Sequence, residues 1–129
     1  MVPVPRGELT EAQRRLVRYA VQEAEQVSGR SFGVVIGHGG DSPRATAERQ
    51  HAAMADPANA VLVLVDPDAR ALEIVTGTAV RRVLGDGAVA LAALGMQGSF
   101  LADDLAGGIV RGLQQLAEHA RAPRLLHYS

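Results

Sequence analysis

NAVLVLVDPDARALEIVTG, Asn59 to Gly77, is the stretch whose reading decides the fold. Val61 to Val65 is an unbroken apolar run. A strand that is apolar on both faces needs cover on both sides. Asp66-Pro67-Asp68-Ala69 is a turn sequence with proline at its second position, where the fixed φ of the ring fits. Leu72 to Val75 is a second apolar run. Two such runs around a short turn predict an antiparallel hairpin.

Upstream of the hairpin, Thr10 and Gln13 have the spacing of a capping box at a helix start. Leu16, Val17, Ala20, Ala24 and Val27 follow at helical spacing, and Gly29 is a natural stop. Arg14, Arg15, Arg18, Glu23 and Glu25 make a solvated outer face. Ser31 to Gly37 (SFGVVIG) reads as a short buried strand, broken by HGGDSPR. Ser42-Pro43 predicts a helix start, since proline suits the first helical position, and that helix is expected to reach about Met54. Asp56-Pro57 ends it.

Downstream of the hairpin, Thr78 is expected to cap a short helix with Val80, Val83 and Leu84 inward. Asp86 is expected to cap the next piece, through Ala88, Leu91 and Leu94, with GMQGSF interrupting it. Asp103 or Asp104 caps a last helix carrying Leu105, Ile109, Leu113 and Leu116 on one stripe. Pro123 closes it. The expected organisation is a loose arm over 1–8, one domain over 9–122, and a tail or edge strand over 123–129. The predicted class is α/β: a three-layer αβα sandwich with a mixed sheet that contains the hairpin, and helices on both faces.

Composition narrows the function. The chain has 129 residues, 47% of them hydrophobic, and a formal net charge of −1. Clustered basic excess for a nucleic-acid partner is missing. Aromatic residues are 3% of the chain (Tyr19, Phe32, Phe100 and Tyr128), too few for a stacking platform. There is no cysteine, which excludes thiol chemistry and thiolate metal sites. There is no lysine either; the basic side chains are all arginine, so a Walker-type loop and Schiff-base chemistry lack their amine. No run approaches the ~20 apolar residues of a membrane span, and the N-terminus lacks a signal-peptide core, so a cytoplasmic protein is expected.

Three groups of residues are candidates for chemistry. Gly37, His38 and Gly39 begin like a dinucleotide-binding turn, but the third glycine position holds Ser42. The Gly37–Ser42 loop is therefore read first as a glycine-rich turn before a helix N-terminus, with small-anion or nucleotide binding as an alternative. Its His-Gly-Gly also resembles an esterase oxyanion loop, which would need a Gly-x-Ser-x-Gly elbow that the chain lacks; Ser99 is not one. Of His38, His51, His119 and His127, no pair has local zinc spacing; each is read first as structural or surface, and His38, in the glycine loop, is the one weighed for catalysis. Asp86, Asp104 and Asp56 are helix-cap residues taken singly. Gathered at one end of the sheet they would offer oxygen ligands to calcium or magnesium, with Arg81 and Arg82 close by to pair with them or hold an anion.

GTAVRRVLGD, with Gly77, Val80, Leu84 and Asp86, and FLADDLAGG, with Phe100, Asp104 and Gly108, together resemble the TPM domain family, named for a thylakoid lumen protein, a photosystem repair protein and a receptor modulator. The order of elements fits over about 70 residues. Ala79 stands where that family has its second glycine, Arg81 where it has a glutamate, and Leu105 where it has an aromatic residue. The resemblance implies an αβα domain. It also implies the range of roles proposed for those relatives, from calcium binding and acid phosphatase activity to assembly and modulation. With no nucleophile motif in the chain, the expected function is a non-enzymatic interaction or scaffold module with a protein partner and a weak divalent-cation site at Asp86, Asp104 and Asp56. The alternative is a metal-dependent acid phosphatase.

Overall fold

The computed structural model describes residues 9–122; the arm expected over 1–8 and the tail expected over 123–129 lie outside the described residues. The chain runs α1 (Glu11–Ser28), β1 (Ser31–Ile36), α2 (Pro43–Ala52), β2 (Ala60–Asp66), β3 (Ala71–Thr76), α3 (Asp86–Leu101) and α4 (Leu105–His119), with short 3-10 turns at Pro57–Asn59 and Val80–Arg82. The sheet order is β1-β2-β3. β1 pairs parallel to β2, from Ser31 opposite Ala60 to Ile36 opposite Val65. β2 pairs antiparallel to β3, from Val61 opposite Thr76 to Asp66 opposite Ala71. The hairpin is present, and the sheet is mixed.

β2 is buried along its whole length. Its side chains alternate between the two faces, as a two-residue period requires. Val61, Val63 and Val65 join the larger core cluster with Ile109, Leu113 and Leu116 of α4, Ala92 and Met96 of α3, and Val17, Ala20 and Ala24 of α1. Leu62 and Leu64 face the other way, into a smaller cluster with Ala47, Val75, Val35 and Met54. So α2, the crossover between the two parallel strands, covers one face, and α1, α3 and α4 cover the other. This is the expected αβα layering. No helix among the described residues is long and apolar enough to cross a membrane.

Local signals hold at several ends. Thr10 and Gln13 form the capping box of α1, Gly29 stops it in the left-handed region at φ 72°, and Ser42 caps α2. Asp104 caps α4, its side chain accepting from the Gly107 N–H. Elsewhere the structure corrects the sequence. GMQGSF does not interrupt a helix: α3 is continuous from Asp86 to Leu101. Leu91 and Leu94 point outward, and Ala92 and Met96 are the buried residues of α3. Val83, Leu16 and Val27 are exposed as well. Asp86 is the first helical residue, with Gly85 at the cap position, and Thr78 caps nothing.

α3 and α4 form a helical hairpin built on glycines of α4. A Cβ at Gly108 would come within 2.7 Å of Ser99 Cβ, and one at Gly112 would meet the Met96 side chain. Gly77, the glycine at the exit of β3, has a related duty. Its φ is not positive, so no left-handed turn calls for it. Instead a Cβ there would strike the backbone of Pro57 and Ala58. Gly77 N–H donates to Ala60 O at 2.9 Å and Ala79 N–H to Ala58 O at 2.9 Å, which pins the exit of β3 against the entry to β2.

Candidate functional site at the hairpin end of the sheet

The carboxyl ends of β1 and β2 lie side by side, so the glycine loop after β1 and the hairpin turn after β2 meet. Asp66, the last residue of the central strand, sits between them and is only 4% exposed. Gly39 N–H donates to its Oδ2 at 2.8 Å, and Ala69 N–H donates to its Oδ1 at 3.1 Å. The loop is fixed from its other side, where Thr46 Oγ1 donates to Gly39 O at 2.7 Å. Two backbone amides favour the charged carboxylate, Gly39 most and Ala69 next, against the opposing effect of burial; nearby His38 adds to the lowering. The Asp66 carboxyl is therefore held below the usual carboxylate range.

His38, from the loop, and Asp68, from the turn, are exposed beside Asp66, and one ligand atom from each of the three lies within 4.8 Å of the others. An imidazole nitrogen with two carboxylate oxygens is a donor set for a divalent cation. Each Asp66 oxygen accepts one N–H and keeps a further lone pair.

Next to Asp66 opens a cavity of about 520 Å³. Leu72 of β3, Phe100 and Leu101 of α3 and Leu105 of α4 line it, with Asp66, Arg70 and Asp103 among the polar groups. Its size falls in the range of small-ligand sites. Arg70 (φ 54°) and Asp103 (φ 60°), the non-glycine residues with positive φ among those described, both stand on its wall. Left-handed backbone is costly away from glycine and tends to collect where a loop is shaped for a task.

The residues singled out in the sequence fare differently. Asp56 precedes the 3-10 turn before β2, at the far end of the sheet from the hairpin turn. Asp86 opens α3 and Asp104 follows its end, so the sixteen residues of that helix, about 24 Å, separate them. The structure does not bring the three together, and the loop between Gly77 and Asp86 does not share a rim with residues 98–104. Asp104 is occupied with Arg111, whose guanidinium donates to its Oδ2 at 2.9 Å and holds the carboxyl below its ordinary value, helped by the Gly107 N–H. Arg81 and Arg82 make no salt bridge among the described residues. The Gly37–Ser42 loop does bind an anion, but an internal one: its Gly39 amide is given to Asp66.

Sequence reasoning named His38 and passed over Asp66 and Asp68, which read as turn residues. The available signal was a carboxylate closing a strand that is apolar on both faces. Such a group is buried by its position and needs donors, and the glycine loop leaving the neighbouring parallel strand supplies one.

Residues 6–117 match the family described as "Domain of unknown function (DUF5130)". Three solved structures resemble the chain. The NMR structure of BA42 protein from the psychrophilic bacterium Bizionia argentinensis has a TM-score of 0.76 at 17% identity, over 87% of this chain and 81% of that one. The N-terminal domain of cg2496 protein from Corynebacterium glutamicum has a TM-score of 0.70 at 14% identity, over 95% and 86%. The N-terminal domain of a protein from P. gingivalis has a TM-score of 0.70 at 19% identity, over 93% and 85%. At these identities the likeness is one of fold. No curated protein matches the chain.

Proposed function

We propose, from the premise that the chain belongs to the DUF5130 family, that it is a non-enzymatic interaction module whose ligand end is the hairpin end of the sheet. In this reading His38, Asp66 and Asp68 hold a divalent cation, and the adjoining cavity receives an apolar group of a protein partner. The observation that carries it is the position of Asp66, a buried carboxylate that belongs both to the cation donor set and to the lining of the adjoining cavity. A cation there would tie the β1 loop to the hairpin turn and so set the shape of the cavity mouth. In this donor set the imidazole suits zinc and the two carboxylates suit manganese, whereas the site expected from Asp86, Asp104 and Asp56 would hold calcium or magnesium through oxygen alone. The resemblance to TPM domains supports a module of this kind, and in this reading it works in the cytoplasm.

Hydrolysis has less behind it. Ser42 Oγ accepts the Ala45 N–H, Thr46 Oγ1 donates to Gly39 O, and Ser99 Oγ donates to Gly95 O and accepts from Arg111. These hydroxyls serve structure, and none is placed as a nucleophile for the phosphatase reading.

Thermal unfolding with millimolar zinc, manganese, calcium or magnesium tests the cation. A ligand bound by the native state alone raises the Tm, by about 2.7 kcal/mol of stability at a hundredfold excess over Kd. Zinc or manganese should raise it in the native chain and fail to do so in Asp68→Asn and His38→Ala. A Tm indifferent to all four ions removes the cation from the proposal.

A further inference from the structure

α3 is apolar on every side, which is normal for a helix buried all round and unusual for one that is not. One side packs on α4 and β3. The other is open: Leu91, Leu94 and Leu101 are 62%, 64% and 80% exposed. Gly87, Leu91, Leu94, Gly98 and Leu101 repeat at alternating intervals of four and three, the seam of a helix that packs along another helix. No charged residue falls between Asp86 and Asp103. The exposed Leu16 and Tyr19 of α1 differ in this respect, since they stand among Arg14, Arg15, Arg18 and Glu23.

The glycines say more. On α4, Gly108 and Gly112 are needed because α3 lies against them. On α3, a Cβ at Gly87, Gly95 or Gly98 would touch nothing within 4 Å. Glycine weakens a helix interior, and nothing within the described chain requires these three. Close approach of a body outside it would.

We propose that this face of α3 is the interface of a homodimer, in which α3 packs antiparallel on α3 of a second copy. The charges choose the second copy and the direction. The start of α3 carries Arg81 and Arg82 against Asp86 and is net positive; its end carries Asp103 and Asp104 against Arg111 and is net negative. Arg81, Arg82 and Asp103 make no salt bridge among the described residues. Antiparallel pairing sets each positive end beside the other copy's negative end, and it opposes the two helix dipoles favourably. Shape agrees. A two-fold axis beside Leu94 places Leu91 over Gly98 of the second copy, a large side chain over a gap, and brings the two copies of Leu94 together at the axis. A two-fold interface meets itself in this way. One helix face is smaller than the ~1,600 Å² of a standard stable interface, so the dimer forms with rising concentration and is not obligate.

Sedimentation velocity on the full chain, from micromolar to millimolar concentration, tests this. The mass should climb from the 13.5 kDa monomer toward twice that value. Leu94→Glu should stay monomeric throughout while keeping the native Tm, because Leu94 is exposed in the monomer. Arg82→Asp should weaken dimerisation by about tenfold, and Arg82→Asp combined with Asp103→Arg should restore it. A native chain that stays monomeric at millimolar concentration overturns the proposal, as does a Leu94→Glu variant that dimerises like the native chain. Monomers that pellet with anionic vesicles through Leu91 and Leu94 would likewise overturn it, in favour of a membrane-docking face.

Discussion

Asp66 and Gly77 show how much one residue can decide. Asp66 ends the buried strand and satisfies two amides from two different loops. Asp66→Asn keeps the shape but offers only one acceptor oxygen, so one amide loses its partner. A lower Tm is expected, together with loss of any cation-dependent rise. The pH dependence has a definite sign. The folded-state pKa is lowered, so the stability from Asp66 is complete above the unfolded value of about 4 and is lost as pH falls through the folded value. Thermal unfolding between pH 5 and pH 2 (roughly the window of carboxylate titration) should show a shallower acid decline in Asp66→Asn than in the native chain. An equal decline would mean that other carboxylates govern the acid limb. Gly77→Ala tests the second residue. The added Cβ strikes backbone, which cannot swing aside as a side chain can. A loss of about 3 kcal/mol or more in urea unfolding is expected, at the upper end of overpacking costs.

At the scale of elements, legibility followed how one-sided each pattern is. β2 and β3 were readable because an unbroken apolar run, a proline turn and a second run leave few alternatives. α4 was readable because Ile109, Leu113 and Leu116 make one stripe and all three are buried. α3 was not. An apolar pattern on every side gives no sign of which face turns inward: of its apolar residues Ala92 and Met96 are buried, while Leu91 and Leu94, by which the sequence marked the helix, are exposed. Gly95 and Gly98 suggested a break because glycine is a poor helix former; packing on α4 holds the helix through them. The glycines of the two helices should therefore answer oppositely to alanine. Gly98→Ala should stabilise the monomer by up to about 1 kcal/mol, its Cβ meeting nothing. Gly112→Ala should destabilise it, since the Cβ meets Met96. Chemical denaturation at low micromolar concentration compares the two, and equal effects would contradict the packing described for α3 on α4.

Across the whole molecule the layers were legible and the site was not. Layering depends on local pattern, whereas a site depends on which ends of which elements coincide. Asp86 and Asp104 are cap-like residues eighteen positions apart in sequence, and only the unbroken course of α3 shows that they occupy opposite ends. His38 and Asp66 are far apart in sequence too, and the parallel pairing of β1 with β2 brings their strand ends together. The core beneath is ordinary: Leu113→Ala should cost about 2–5 kcal/mol, as for other fully buried leucines. Manganese is paramagnetic and broadens the amide signals nearest to it, so its addition to a nitrogen-15-labelled full chain locates the ion directly. Selective loss of signals around His38, Asp66 and Asp68, at the hairpin end, is expected, with the Asp56 and Asp86 regions untouched. Broadening centred on Asp56, Asp86 or Asp104, or none beyond a uniform solvent effect, would contradict it.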